Sequence, residues 1–240
     1  MIDAVERVVS PFLAGADTAL GDGYTAILYG SAARGDFVPG RSDIDLMLVA
    51  SELAPATLRA LAGPFERWRR SEYEPPLVVT RGEWERATDA FPVELADMRT
   101  CYRVLRGPDI VAGVTVEPPH LRVALEREFR GKLLRLRQGY VASANDAAAL
   151  GALAGRSAGA LMVLFRALLV LLGRTVPRDP LQLGVAGAET LGVEGEPLLH
   201  VIRHRGERGW KCTAAEFEAY MEMADRAVRF LDQLQLGEQR

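Results

Sequence analysis

The feature that most constrains the fold is an apolar run that ends in Gly30-Ser31 and is followed, after a short loop, by an apolar run carrying Asp43 and Asp45. The first run, residues 25–29, has the composition of a buried strand, and the glycine after it predicts a sharp turn. Two aspartates at positions i and i+2 of a strand lie on one face. Carboxylates at this spacing suit a divalent cation, and the amides from Ser31 onward would bind an anion if they open a helix. The pattern therefore predicts phosphate and metal binding at one end of a sheet.

Each half of this pattern is common alone, because Gly-Ser occurs in ordinary turns and Asp-x-Asp at many strand ends. Together they read Gly-Ser-x-x-Arg-Gly over 30–35 and Ser-Asp-Ile-Asp-Leu over 42–46. The combination resembles the signature of the nucleotidyltransferase superfamily, which is DNA polymerase β-like and includes the aminoglycoside (kanamycin-type) and the minimal nucleotidyltransferases. The resemblance is close over 25–50 and looser over 91–107. It implies an enzyme that moves a nucleoside monophosphate, most simply AMP from ATP, onto a hydroxyl of a small-molecule acceptor and releases pyrophosphate.

The resemblance also implies a third carboxylate beside Asp43 and Asp45, early in a neighbouring strand and flanked by apolar residues. Glu94, within residues 93–98, fits this description and is our choice. Glu74 competes with it, since it precedes two prolines and another apolar run. Asp43, Asp45 and Glu94 would hold two Mg²⁺ ions. The plain alternative for Glu94 is a charge at a sheet edge.

Two further contacts to the substrates follow from the resemblance. Gly30 and Ser31 would cradle the β and γ phosphates of the triphosphate. The stretch Glu128-Phe129-Arg130-Gly131-Lys132 is similar to an acid-aromatic-x-Gly-Lys stretch in the helical domain of kanamycin-type nucleotidyltransferases. In that comparison Glu128 is the general base and Lys132 contacts the nucleotide. The two residues are four apart and share a helix face, so without the resemblance they are an ordinary solvated pair.

The organisation of the chain changes near Pro118-Pro119. Before it, helical runs such as residues 55–69 mix with strand-like runs at 25–29, 43–49, 77–79, 93–98 and 102–105. Mixed runs without a regular βαβ repeat favour the α+β class, with a mixed sheet flanked by helices. We therefore predict a nucleotidyltransferase (catalytic) domain over residues 1–118.

After Pro119 every pattern is helical. An apolar stripe with spacings of four and three runs from Leu121 to Tyr140, and residues 157–173 are apolar nearly all round. Asp179-Pro180 and Thr213-x-x-Glu216 are typical helix starts. We predict a helical bundle domain over 119–240 that forms the acceptor-binding side. Arg166 is the lone charge in the apolar stretch, so it must find an acid, a carbonyl or a ligand.

Composition argues against several other classes of protein. The 240 residues include 29 Lys and Arg against 32 Asp and Glu, a net charge of −3, so strong nucleic-acid binding through a positive field is not expected. Cys101 and Cys212 have no metal-site spacing. The N-terminus shows no signal pattern, and the stretch 157–173 is too short to span a bilayer. We expect a cytoplasmic protein without a membrane segment.

The expected partners are a nucleoside triphosphate and an acceptor of unknown identity, and homodimer formation is left open. One alternative is an antitoxin-like nucleotidyltransferase that AMPylates or binds a protein partner. The toxin in such systems carries an Arg-x4-6-His motif, and no histidine here has an arginine at that upstream distance. The chain is therefore not a fused toxin, although a separate toxin partner is compatible with the sequence. The second alternative, a regulator that has lost catalysis, is disfavoured by the intact Asp43 and Asp45.

Overall fold

The structure is a computed structural model that describes residues 3–40, 42–143, 146–207 and 209–236. These residues divide into two compact units. The first contains the residues up to Ala90 together with Met98–Thr115, and the second contains Phe91–Asp97 together with the residues from Val116 onward. The main division thus lies close to the predicted boundary at Pro118, but a short segment of the first half packs with the second unit.

The first unit is built on a four-stranded mixed sheet in the order β3–β2–β1–β4. Strand β1 is antiparallel to β2 and β4, whereas β3 runs parallel to β2. The strands are β1 (Tyr24–Tyr29), β2 (Asp45–Ala50), β3 (Leu77–Thr80) and β4 (Tyr102–Arg106). The helices of this unit are α1 (Asp3–Leu20), α2 (Gly30–Arg34), α3 (Pro55–Arg69), α4 (Arg81–Glu85) and α5 (Ala87–Ala90). The predicted α+β class with a mixed sheet is confirmed.

Burial of β1 and β2 positions the candidate residues. Both strands are buried along nearly their whole length, because they are the two central strands of the sheet. Helices α1 and α3 pack against each other, and the ring of Phe12 meets the edge of Trp68 at 5.0 Å between centroids. The exposed end of the β1–β2 pair, where β1 stops at Tyr29 and β2 starts at Asp45, is therefore held on a rigid support.

Residues 93–98, predicted as a strand, are part of helix α6 (Pro92–Thr100), so that prediction is wrong. The alternation of apolar and acidic residues fits a strand face, but tertiary packing favours the helix. Val93 and Ala96, three apart on the helix, are buried in the core of the second unit. Asp97, one position further, forms an ion pair there with Arg166. The helix starts at a proline, which is favoured in a first turn.

The second unit is a helical bundle, as predicted. Its long helices are α7 (Pro118–Ser143), α8 (Ala147–Leu171), α9 (Pro180–Leu191), α10 (Glu196–His204) and α11 (Ala214–Gln233). Both predicted helix starts are present: the Asp179 side chain caps α9, and Thr213 forms a capping box with Glu216 at α11. The apolar stripe of α7 is buried against α8 and α11.

Helix α8 is the central helix of this bundle. It begins ten residues before the apolar stretch 157–173 and, among the described residues, is the helix whose length and hydropathy would also suit a membrane span. It packs against α7, α9, α10 and α11, and 56% of its most apolar window is buried. These contacts are typical of the core helix of a globular unit. The Arg166 guanidinium donates from Nε and Nη2 to the carboxylate of Asp97. Of the partners that the sequence allowed for this arginine, the structure therefore shows an acid.

Candidate functional site

The two aspartates lie at the beginning of β2. The strand starts at Asp45, so Asp43 lies two residues before it rather than within it. Ile44 between them is only 1% exposed, whereas both aspartates are half-buried. Because side chains alternate along an extended chain, both carboxylates lie on the side opposite Ile44. The two carboxylates therefore lie on one face as predicted, although only Asp45 is part of the strand.

Gly30 allows the Asp45 carboxylate to approach the backbone. Its φ is +65°, in the left-handed region that favours glycine, and it directly follows the residue paired with Asp45 across β1 and β2. A Cβ atom at position 30 would lie 1.9 Å from Asp45 Oδ2 and 2.8 Å from its Cγ. The Asp45 carboxylate fills the space beside the Gly30 Cα, and the expected binding of phosphate at Gly30 and Ser31 stays a prediction. Glycine at position 30 is therefore required by the geometry of Asp45.

Asp43 is held in one orientation by backbone donors. Its Oδ1 accepts hydrogen bonds from the amides of Ile44 (2.8 Å) and Glu74 (3.0 Å). Its carbonyl oxygen accepts a long bond of 3.4 Å from Ser31 Oγ. Among the described residues no side-chain or backbone group bonds to Oδ2. One oxygen is thus fixed by amides and the other is available to a ligand.

Glu74 lies beside Asp43. It precedes β3, which pairs in parallel with β2 starting at Met47 and Leu77, so the segments leading into the two strands run side by side. The Glu74 amide donates to Asp43, and its carbonyl accepts from Nε1 of Trp68 at 2.8 Å. Its side chain is exposed. Both backbone groups of Glu74 are therefore anchored, with its amide beside Asp43, while its side chain is exposed.

Glu94 is in a different setting from the one we predicted. It lies exposed in the first turn of α6, in the segment Phe91–Asp97 that belongs to the second unit. The premise for choosing it, a position early in a strand, is wrong. The premise for Glu74, a position just before a strand of the same sheet, is correct. The assignment of Glu94 as a metal ligand itself stays a prediction.

Glu128 and Lys132 are half-buried on α7 in the second unit. Arg127 Nε lies 3.7 Å from a carboxylate oxygen of Glu128, a loose contact. On the neighbouring flank Arg130 donates to Glu126 at 2.9 Å and holds the pKa of that carboxyl below its usual range. Glu126 is thus fully engaged, whereas Glu128 has the weaker ion pair. The roles of Glu128 and Lys132 stay predictions.

The donor set at the start of β2 suits a hard divalent cation. Mg²⁺ is commonly bound by one or two carboxylates, with substrate phosphates and water completing its shell. Asp43 offers one available oxygen, and the Asp45 carboxylate fits the space above Gly30, which a Cβ would fill. Within the described ranges no group of three or more His, Cys, Asp or Glu side chains is already assembled around a common point. The arrangement fits a metal that arrives with the phosphates of a nucleotide.

A cavity of about 570 Å³ lies on the Glu74 side of this site. Its wall is made by the end of α3 and the segment that leads into β3, and it includes the aromatic rings of Phe65, Trp68 and Tyr73 and the acids Glu72 and Glu74. Apolar walls with a few polar groups are typical of small-molecule sites. The cavity provides space for a compound next to the Glu74 carboxylate.

Comparison with known proteins agrees with this geometry. Residues 16–97 match the family model of the nucleotidyltransferase domain, a range that includes Gly30, both aspartates and both candidate glutamates, Glu74 and Glu94. A comparison with curated proteins gives no match.

Among solved structures, the fold is similar to the crystal structure of the spectinomycin adenyltransferase AAD(9) from Enterococcus faecialis, determined with ATP and spectinomycin. The TM-score is 0.58 at 13% sequence identity, and the similarity covers 93% of this chain and 98% of the other. At this identity the similarity concerns the fold. Residues 16–97 are thus similar to a nucleotidyltransferase domain, and this match together with the similar fold supports the nucleotidyltransferase superfamily and a transferase enzyme.

Proposed function

We propose that this protein transfers a nucleoside monophosphate, AMP from ATP in the simplest case, to a hydroxyl group of a small-molecule acceptor and releases pyrophosphate. The observation that carries the proposal is the Asp43–Asp45 pair at the start of β2, with one carboxylate held by amides and the other against Gly30. The similar fold of an adenyltransferase determined with ATP and a small-molecule antibiotic supports the same substrate classes.

In this proposal Asp43 and Asp45 hold Mg²⁺, two ions in the complete complex, with a third carboxylate beside them. We assign that third role to Glu74 rather than Glu94, because the Glu74 amide is 3.0 Å from Asp43 Oδ1. When bound, Mg²⁺ lowers the pKa of the attacking hydroxyl and neutralises charge on the phosphoryl group.

The other residues bind the nucleotide and remove the acceptor proton. Gly30 and Ser31 take the β and γ phosphates; the long bond from Ser31 Oγ to the Asp43 carbonyl costs little to exchange for a phosphate oxygen. Lys132 contacts the nucleotide. Glu128 accepts the proton of the acceptor hydroxyl as its oxygen attacks the α phosphorus. The bond from that phosphorus to the β-phosphate oxygen breaks in line, and pyrophosphate leaves with the electron pair.

The acceptor is proposed to be a hydroxyl-bearing small molecule. The cavity beside Glu74 has aromatic and acidic walls, so it suits a compound with apolar faces and amine or hydroxyl groups. Spectinomycin, which is present in the structure of the neighbour, is the first compound to test. We expect the reaction to take place in the cytoplasm, where ATP and Mg²⁺ are available.

The proposal is tested by incubating the purified protein with Mg²⁺ and each of the four common nucleoside triphosphates labelled at the α phosphate. The acceptors are spectinomycin, a panel of aminoglycosides and other hydroxyl compounds, and a cell lysate. Pyrophosphate release and an acceptor whose mass rises by one nucleoside monophosphate support the proposal. Label on a protein in the lysate instead would favour the antitoxin-like alternative. Transfer that persists in Asp43→Asn would contradict the proposed site.

A further inference from the structure

Residues 71–75, which we call the carboxylate loop, connect α3 to the segment before β3 and carry Glu74. This loop is tied to the buried residue Trp68 near the end of α3. Ser71 donates to the Trp68 carbonyl from its amide at 2.8 Å and from its hydroxyl at 2.7 Å. The indole Nε1 of Trp68 donates to the Glu74 carbonyl at 2.8 Å. The backbone and side chain of Trp68 therefore hold both ends of the loop.

Trp68 is a rigid anchor for this loop. Its side chain is 2% exposed and its ring packs edge-on against Phe12, so the indole N–H has a fixed direction. A buried indole N–H needs an acceptor, and the Glu74 carbonyl is that acceptor. The packing of Trp68 in the core of the first unit therefore fixes the position of the Glu74 backbone.

The conformation of the loop needs such an anchor. Glu72 has φ of +62°, the one positive φ of a non-glycine residue among those the structure describes. A left-handed glutamate is unfavourable on its own and persists only where its surroundings hold it. The second anchor holds the other backbone polar group of the same residue, since the Glu74 amide donates to Asp43 Oδ1. Glu74 is therefore fixed between the core and the aspartate.

We propose that Trp68 is a positioning residue that sets the Glu74 carboxylate beside Asp43 through the hydrogen bond from its indole to the Glu74 carbonyl. The inference rests on the proposed function, in which Glu74 is the third carboxylate. Trp68 is assigned no contact with the metal or the nucleotide; its ring is part of the wall of the cavity proposed for the acceptor, so the metal affinity is measured without acceptor. Losing the bond lets the carboxylate loop shift, and a misplacement of about 1 Å can cost about 100-fold in rate.

The decisive variant is Trp68→Phe, which keeps an aromatic ring against Phe12 and removes the N–H donor. The matched control is Trp84→Phe. Trp84 is also buried in the first unit and also donates from Nε1 to a backbone carbonyl, that of Ile110 at 3.3 Å, but it is not bonded to the carboxylate loop. A general loss of stability would affect both variants, whereas a positioning effect is confined to Trp68→Phe.

Two measurements separate positioning from a structural role. The first is the affinity of the protein for Mn²⁺, a paramagnetic substitute for Mg²⁺, in the presence of a non-hydrolysable ATP analogue. The second is kcat and KM for ATP with the acceptor found in the screen. In Trp68→Phe we expect Mn²⁺ affinity and kcat to fall by about 10- to 100-fold with KM for ATP nearly unchanged. Trp84→Phe should stay near wild type in all three.

Equal behaviour of Trp68→Phe and Trp84→Phe would overturn the inference. If Trp68→Phe does not fold, replacement of Trp68 by benzothienylalanine, which has the shape of tryptophan but no N–H, gives the same comparison. A silent Glu74→Gln variant beside an inactive Asp43→Asn variant would also overturn it, while the proposed function would stand. Transfer that survives Asp43→Asn would instead remove the proposed function itself.

Discussion

The contact between Gly30 and Asp45 allows a sharp prediction for Gly30→Ala. The new Cβ would lie 1.9 Å from Asp45 Oδ2, so the oxygen must withdraw by about 1.5 Å to reach ordinary contact. Metal ligands tolerate distance errors of only about 0.2 Å. We therefore expect the Asp45 carboxylate to leave its place and the affinity for a Mg²⁺–nucleotide complex to fall by about 10- to 100-fold.

The same change also strains the backbone, and that part of the effect can be measured separately. Alanine at positive φ costs about 1–2 kcal/mol, and for a chain of this size each 1 kcal/mol lowers Tm by about 2–4 °C. Gly21→Ala is the matched control: φ at Gly21 is +61°, against +65° at Gly30, and no atom of the residues that the structure describes lies within 4 Å of its Cβ position. Gly21→Ala should lose stability alone.

The assay is calorimetric titration of each variant with Mg²⁺ and a non-hydrolysable ATP analogue, well below the Tm of the less stable protein. Because this titration needs no acceptor, it can be done before the acceptor is known. If Gly30→Ala binds the complex as tightly as Gly21→Ala does, Asp45 does not contact the metal and the reasoning fails.

Three other outcomes are expected. Glu74→Gln should lower the transfer rate and raise the Mg²⁺ concentration needed for half-maximal rate, whereas Glu94→Gln should do little; the opposite result would return the third carboxylate to Glu94. Glu128→Gln should lower kcat by about 10²–10⁴-fold and flatten the acid limb of the pH–rate profile without weakening nucleotide binding; an unchanged profile would show that another group is the base. Burial raises the pKa of the Cys212 thiol to about 11. At pH 8 an alkylating reagent should therefore modify the partly exposed Cys101 first, and Cys212 only on unfolding. Equal modification rates of the two cysteines in the native protein would contradict the burial of Cys212.

The sequence predicts the elements that local patterns determine. Strands β1 and β2 are recognisable because apolar runs end at Gly30-Ser31 and begin at the aspartates, and the capping residues of α9 and α11 mark their own helices. Residues 93–98 escape this reasoning, since their apolar positions suit a strand face and a helix face equally. The helix is accompanied by contacts that no local pattern shows, such as the ion pair of Asp97 with Arg166, which lies 69 positions away.

In the candidate site, too, the sequence predicts the local pattern but not the contacts between distant segments. The spacing of Asp43 and Asp45 indicates a common face, but it does not show that Asp45 presses against Gly30 or that Asp43 accepts the Glu74 amide. The first contact depends on the antiparallel pairing of β1 with β2, and the second depends on the parallel pairing of β2 with β3. The bond from Trp68 to Glu74 is local, yet an indole donor inside an apolar helix face looks like any other core residue.

Helix α6 also has a consequence for how this protein can be divided. The chain leaves the first unit before Phe91, returns at Met98 to supply strand β4, and leaves again after Thr115. A fragment that starts at Val116 would lack Asp97, and the buried Arg166 would keep its charge without a counterion, which is strongly destabilising. A fragment that stops at Ala90 would lack an edge strand of the sheet. Because the two units are interleaved in the sequence, no single uninterrupted fragment contains either unit complete without part of the other.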